Sequence, residues 1–97
     1  MEEVFSFDVA LQKLKNGEKV CRLHWGEKVP FIFKNPASKI TVSEGRPLAS
    51  NYEIGTTVWC HDYIMQCHLS IDSELMIIPW TANQLDILAE DWMVYHA

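Results

Sequence analysis

The cysteine and histidine residues in the middle of the chain are the side chains that could ligate a metal. Cys60 is followed by His61, and Cys67 is followed by His68. A structural zinc site usually takes its ligands in pairs that are two to four residues apart. Adjacent residues of a strand point to opposite faces, so each pair would be divided between two faces of a sheet. We therefore predict buried thiols and surface histidines, and no metal site.

No pattern for covalent or acid–base catalysis is found elsewhere in the sequence. Cys21 or Cys67 beside a histidine could act as a nucleophile, but no nucleophile elbow, glycine-rich oxyanion turn or orienting acid accompanies them. Asp86 and Glu90 are four residues apart, which is typical of a solvated helix face. The sequence has no P-loop and no dinucleotide fingerprint. It predicts that the protein is not an enzyme, and it indicates no cofactor.

Trp25 and Trp80 indicate a surface that could bind a flat ligand. Trp25 ends a predicted strand and is followed by Gly26, while Trp80 ends another strand and precedes a helix. Rings at such positions can stack on a base, which is worth about 1–3 kcal/mol per base. The free N–H groups of the following helix start could bind an anion. Each tryptophan alone is more typical of a core residue. The combination with a polar helix start favours a nucleotide-like ligand, and core packing stays open as the alternative.

The elements that must position these residues are predicted in the order of an α+β fold with a mostly antiparallel sheet. Ser6 can cap a helix over Phe7–Lys15, which Gly17 ends. Thr81 followed by Gln84 is a capping-box pattern, which predicts a second helix over residues 82–89. Strands are predicted within the segments EKVCRLHW, VPFIFK, KITV, TTVWCHDYIMQCHLSI, ELMIIPW and DWMVY.

Two further expectations concern the connections and the core. The segment 35–57 is rich in turn residues, and such a long loop is often functional or packed against a partner. A hairpin is predicted to turn at Asp72 and Ser73. Trp92, in the last strand, is predicted to be a core residue.

The totals limit the kinds of partner. The 97 residues predict a single domain over 1–97, and a net charge of −5 argues against DNA and other nucleic-acid partners. The apolar runs are too short to cross a membrane, and the acidic start differs from a signal peptide, so we expect a cytoplasmic location. A domain of this size hides only about 60–65% of its unfolded surface, which favours association with further copies.

The chain also resembles a family of small phage and prophage proteins that includes the second type of Thoeris anti-defence protein. The resemblance runs from about Phe5 to Val94. Its most specific part is the C-terminal pattern PW-x-A-x-Q-x-D-x-L-A-E-D-W. It is carried by the segments LKNGEKVCR, HWGEK, PFIF, PASKITV, RPL, IGT and IIPWTANQLDILAEDWMV.

The resemblance implies a sponge, a protein that binds a cyclic ADP-ribose-type immune signal (glyco-cyclic ADP-ribose) and leaves it intact. It also implies a homo-oligomer, as a tetramer with pockets shared between subunits, in the host cytoplasm during infection. Sequestration of cyclic di- or trinucleotides of another defence system is one alternative. A non-catalytic interaction module and an enzyme acting on the same nucleotides are the others.

The ligand-binding residues predicted for such a sponge follow from ring position and helix-end chemistry. The aromatic rings would stack on the ligand or line its pocket, and the helix start would meet phosphate or ribose. Asp91 would accept a hydrogen bond from ribose or base, and the cations, with Arg46 as a further candidate, would balance phosphate charge. The predicted residues are Trp25, Phe31, Trp80, Thr81, Asn83, Gln84, Asp91, Arg22 and Lys28.

Overall fold

The computed structural model of the protein describes residues 3–26 and 29–96. The helices are α1 (Phe7–Lys15) and α2 (Gln84–Leu88). The strands are β1 (Val20–Arg22), β2 (Phe31–Asn35), β3 (Ser38–Thr41), β4 (Thr57–Cys60), β5 (Tyr63–Leu69), β6 (Leu75–Pro79) and β7 (Trp92–Val94). An antiparallel sheet has the strand order β6-β5-β2-β1-β7, and β3 pairs with β4 in a separate ribbon. This confirms the predicted α+β class.

Helix α1 packs on one face of the sheet and supplies two residues of a small core. Ala10 and Leu14 lie one turn apart on the same side of the helix, and both are buried. They pack against Val20, Ile32 and Trp92 from three neighbouring strands. The helix has the bounds predicted from its apolar spacing and end signals.

The two ends of α1 are set by short-range chemistry. Ser6 occupies the N-cap position with extended backbone, but its hydroxyl donates to the carboxylate of Asp8 and caps no backbone N–H group. The prediction of Ser6 as a capping side chain was therefore wrong. At the other end Gly17 adopts a φ of 90°, which side chains of L-residues disfavour, and the chain turns toward β1.

The sheet carries apolar side chains on its second face as well. Val20 points toward α1, so the next residue, Cys21, points away, and its partner in β7 is Met93. The ring of Phe31 lies on this second side, 4.7 Å from the ring of Tyr95. We call this surface the open face; its residues include Cys21, Phe31, Phe33, Cys67, Leu69, Leu75, Ile77, Met93 and Tyr95.

The long predicted run TTVWCHDYIMQCHLSI forms two strands rather than one. The chain leaves the ribbon after β4, passes through His61 and Asp62, and enters the main sheet as β5. The ribbon and its connecting segment form an arm, residues 38–60, which includes a 3-10 turn at Pro47–Ser50. The molecule is correspondingly long, with extents of 53 × 32 × 25 Å. The predicted hairpin turn at Asp72 and Ser73 does join β5 to β6.

Helix α2 begins later and ends earlier than predicted. Its N-cap residue is Asn83, whose side-chain oxygen accepts a bond of 2.8 Å from the N–H of Asp86. The capping box assigned to Thr81 and Gln84 was therefore wrong, and the helix is shorter than the predicted range 82–89. The helix has only five residues, and the anion site expected at its N–H groups stays a prediction. Asn83 prevails because Asx side chains are strong N-caps.

The cysteines are buried or partly buried, with Cys21 and Cys67 in the sheet and Cys60 half-buried in the arm. His61 is exposed, whereas His68 is half-buried. Within residues 3–26 and 29–96, no three His, Cys, Asp or Glu side chains are grouped so that they could hold a metal ion. None of the helices in this part of the chain is long and apolar enough to span a membrane.

Candidate functional site

Trp92 holds the two predicted ligand-stacking tryptophans in place. Its ring is fully buried, and its indole N–H donates to the carbonyl of Asp86 at 2.9 Å. Trp25 meets this ring edge-on at 5.2 Å between centroids, and Trp80 meets it edge-on at 6.0 Å. Such edge-to-face pairs are worth about 0.5–1.5 kcal/mol beyond the area they bury. Two rings that are 55 residues apart in the sequence are thereby positioned around one core residue.

A cleft of about 350 Å³ lies between Trp25 and Trp80. Both rings are half-buried, so each keeps surface that a ligand could contact. Strand β1 ends at Arg22, so Trp25 lies in the turn after the strand and not at its end as predicted, and Gly26 continues this turn with a φ of 67°. The cleft is lined by Arg22, His24, Trp25, Val29, Gln66, Trp80, Thr81, Asn83, Leu85 and Asp86.

Arg22 forms the charged floor of the cleft. Its Nε donates to Asp91 Oδ1 at 2.8 Å, and its Nη1 donates to Asp86 Oδ1 at 3.1 Å. The Arg22 side chain is only 15% exposed and that of Asp86 only 10%. A buried ion is costly unless it is paired, and here one guanidinium satisfies two carboxylates from different elements.

The Arg22 interactions shift the ionisation of the groups around them. The hydrogen bond to Asp91 is the largest cause that raises the pKa of Arg22 above its ordinary value. The same bond lowers the pKa of Asp91, against the opposing effect of partial burial. His24 Nδ1, 3.5 Å from Asp91 Oδ2, adds a smaller lowering effect. Asp91 is therefore a carboxylate at neutral pH, able to accept hydrogen bonds but not to donate a proton.

The structure brings together five of the predicted ligand-binding residues in one cleft. They come from two parts of the chain, which are the end of β1 with the turn after it and the segment between β6 and α2. The five are Arg22, Trp25, Trp80, Thr81 and Asn83. Their contact with a ligand remains a prediction.

Three other predicted residues, Asp91, Gln84 and Phe31, lie outside the cleft lining. Asp91 bonds to Arg22 behind the lining. Gln84 is exposed at the start of α2. Phe31 is on the open face against Tyr95, so within one protomer it cannot line a pocket with Trp80. Lys28 lies outside the described residues.

Sequence reasoning missed five lining residues, of which three are polar (His24, Gln66 and Asp86) and two are apolar (Val29 and Leu85). Asp86 was interpreted as a solvated residue paired with Glu90 on one helix face, and this was wrong because the helix ends at Leu88 and Asp86 is buried. The Asn83-x-x-Asp86 spacing was the available signal, since it places an N-cap and a first-turn acid together.

Two larger hollows flank the cleft. One, of about 470 Å³, lies between α1 and β5 and includes Phe7, Lys34 and the far side of Trp80. The other, of about 580 Å³, is a mainly apolar groove on the open face and includes Trp25, Leu75 and Met93. The cleft between the tryptophans is smaller than either, but it combines ring surface with polar groups from three elements.

Comparison with known proteins supports the family resemblance that the segments HWGEK and PWTANQLDILAEDW indicate. Residues 5–95 match the family described as the Thoeris anti-defense 2-like domain. The chain is also 30% identical over 93 residues to Thoeris anti-defense 2 of Bacillus phage SP01, an alignment that covers 95% of this chain and 96% of the relative. The chain therefore belongs to the Thoeris anti-defense 2-like family, whose role is phage anti-defence.

Proposed function

We propose that this protein is a sponge that binds a cyclic ADP-ribose-type signalling nucleotide, such as glyco-cyclic ADP-ribose, and keeps it from its effector. The observation that carries the proposal is the cleft between Trp25 and Trp80. Two indole surfaces beside polar side chains are suited to a ligand with a flat base and sugar hydroxyl groups. Family membership supports the anti-defence setting of this binding.

The base would stack on one of the two half-buried indoles, and polar groups would orient the rest of the ligand. The lining supplies the Thr81 hydroxyl, the Gln66 amide and the His24 ring, which can exchange hydrogen bonds with ribose. The Asn83 side-chain oxygen is already used by the helix cap, so its amide N–H₂ group is the part available to a ligand. These groups sit on elements held by the Trp92 core, which limits the entropy lost on binding.

The ionisation of the site favours binding over cleavage. Asp91 is held as a carboxylate by Arg22, and both charges of the Arg22–Asp91 pair are already engaged. A general acid would need a raised pKa, whereas the pKa of Asp91 is lowered. Asp91 is therefore unsuited to act as a general acid, and we propose that the ligand leaves the protein chemically unchanged.

The size of the cleft supports a site that further copies complete. Pockets for drug-sized ligands span about 300–1,000 Å³, so a cleft of about 350 Å³ is small for a base, two riboses and a diphosphate. The Arg22 charge is already balanced by two carboxylates, so diphosphate binding needs additional cations. We propose a homo-oligomer, as a tetramer in the host cytoplasm, in which neighbouring subunits close the pocket.

Ligand retention and release test the proposal directly. Purified protein is incubated with cyclic ADP-ribose isomers and, separately, with cyclic dinucleotides, then filtered and heated, and the released compound is identified. We expect an intact cyclic ADP-ribose isomer. A chemically altered nucleotide would indicate an enzyme, retention of cyclic dinucleotides alone would indicate the other defence system, and no retention would indicate an interaction module.

Tryptophan variants show whether binding takes place in the cleft. Trp80→Ala and Trp25→Ala should each weaken binding of the retained isomer about 5- to 150-fold, the equivalent of one stacking interaction. Trp59→Ala is the matched control, because Trp59 is 67% exposed on the arm and does not line the cleft. Titration calorimetry measures the affinities. Equal losses in all three variants would place the site elsewhere.

A further inference from the structure

Strand β6 has the composition of an interior strand but lies at the edge of the sheet. Leu75 and Ile77 point to the open face and are 72% and 58% exposed. Met76 and Ile78 point to the other face and are also exposed. A strand that is apolar on both sides is typical of the middle of a sheet. A bare apolar edge strand would pair with other chains, so natural proteins usually cover or charge it.

Within the described residues no strand pairs with the outer side of β6, so backbone hydrogen-bonding groups point outward there. The carbonyl of Glu74 accepts from Ser70, and the N–H of Trp80 donates to Ile64, so both groups face β5. The backbone N–H and C=O groups of successive residues point to opposite sides of an antiparallel strand. The backbone groups of Leu75, Ile77 and Pro79 therefore point away from β5. Pro79, which has no N–H to donate, therefore lies on the outer side of the strand.

The protomer exposes more surface than a compact monomer of its mass. Its accessible area is 7231 Å², whereas a folded monomer of 11.2 kDa exposes about 5,700 Å². The excess of about 1,500 Å² exceeds the roughly 800 Å² per partner that a stable interface buries. Part of the excess surface belongs to the arm. The most continuous apolar part of the excess surface is β6.

We propose that β6 pairs antiparallel with β6 of a second copy, about a two-fold axis through Ile77. Ile77 is the middle residue of the strand and faces outward, so each Ile77 N–H donates to the Ile77 carbonyl of the other copy. Each Leu75 N–H then donates to the carbonyl of the Pro79 opposite. Pro79 has no N–H group, and this pairing does not require one, because Pro79 takes part only through its carbonyl oxygen. The two five-stranded sheets become one continuous sheet.

A second copy fits this edge better than a different protein. Residues 75–79 carry no charged side chain that would select a partner of opposite charge. A two-fold axis at Ile77 places apolar residues opposite apolar residues on both faces, as an isologous interface requires. The inference rests on the assembly included in the proposed function, but it does not depend on the identity of the ligand.

Charge substitution at Ile77 tests the pairing. Residues that face each other across antiparallel strands have Cβ atoms about 4.5–5.5 Å apart, so like charges there repel. Ile77→Lys should reduce the mass measured by light scattering by half or more, and Ile77→Glu should do the same. An equimolar mixture of the two should regain the wild-type mass. Ile71→Lys is the matched control, since Ile71 is fully exposed in the turn before β6, and it should keep the wild-type mass.

The outcomes separate this inference from the proposed function. A monomeric wild type, an Ile77→Lys variant with the wild-type mass, or a mixture that stays at the reduced mass would overturn the β6 pairing. Circular dichroism of each variant verifies the fold, and the mixing result identifies repulsion rather than misfolding as the cause. Ligand retention by the wild type is measured separately. Failure of the β6 pairing therefore does not contradict ligand binding, and failure of ligand binding does not contradict the β6 pairing.

Discussion

At the scale of residues, Arg22 links three parts of the chain through its side chain. It belongs to β1, while Asp86 belongs to α2 and Asp91 precedes β7. Removing one partner of a mostly buried ion pair leaves the other charge without compensation. The free energy lost in this way exceeds the net stabilisation that the pair provides. Arg22 therefore acts first as a structural residue of the cleft floor, whatever contact it makes with a ligand.

The lowered pKa of Asp91 gives a pH-dependent prediction. The ordinary value is 3.8 and the folded value is lower, so this stabilising contribution is complete above pH 3.8 and is lost as the pH falls through the folded pKa. Asp91→Asn should cost about 1 kcal/mol near pH 7, a modest amount because the side chain is partly exposed. Urea unfolding at several pH values measures the difference between variant and wild type.

This difference should be constant near neutral pH and should shrink below about pH 4. Arg22, Asp86 and His24 are the neighbouring charged or titratable groups that face Asp91 or its partner. A difference that stayed the same down to about pH 2 would mean that Arg22 does not stabilise the Asp91 carboxylate in the folded state.

At the scale of elements, the start of α2 was settled by competition between two capping patterns. Thr81 and Gln84 have the capping-box spacing, but Asn83 is the residue that caps the helix. Asn is a stronger N-cap than Thr, so local preference already favours Asn83. Tertiary contacts favour the same helix start, because the Asp86 carboxylate bonds to Arg22 and the Asp86 carbonyl accepts from Trp92.

Matched substitutions distinguish the two caps. Asn83→Ala should lower the free energy of unfolding by about 1 kcal/mol, because it leaves the Asp86 N–H without its acceptor. Thr81→Ala should lower it by less than about 0.5 kcal/mol, the usual effect of an exposed substitution. Chemical unfolding of both variants measures the difference. A larger loss for Thr81→Ala would restore the capping box.

At the scale of the whole molecule, the protomer is extended and its core is small. Among the described residues the core cluster has five buried members, and the radius of gyration is 16.6 Å, against about 12.5 Å for a compact domain of this length. Many large apolar side chains are exposed on β6, α2 and the arm. We therefore expect association to contribute a substantial part of the stability of this chain.

Association predicts a concentration-dependent stability. The midpoint of thermal unfolding of the wild type should rise over about a hundredfold increase in protein concentration, because subunit binding favours the folded state by mass action. Ile77→Lys should show a smaller rise and Ile71→Lys the wild-type rise. Scanning calorimetry or circular dichroism measures the midpoints. A wild-type midpoint independent of concentration would contradict assembly.

The sequence by itself determined the features that depend on neighbours along the chain. The apolar spacing of α1, the β5–β6 turn, the core position of Trp92 and the family motif were all readable, because each is carried by residues close together in the sequence. The tertiary structure decided what joins distant segments. It placed Trp25 and Trp80 on either side of Trp92, paired Arg22 with an acid 69 residues away, and turned Phe31 to the open face. Strand pairing and burial determine such contacts, and they depend on the whole chain.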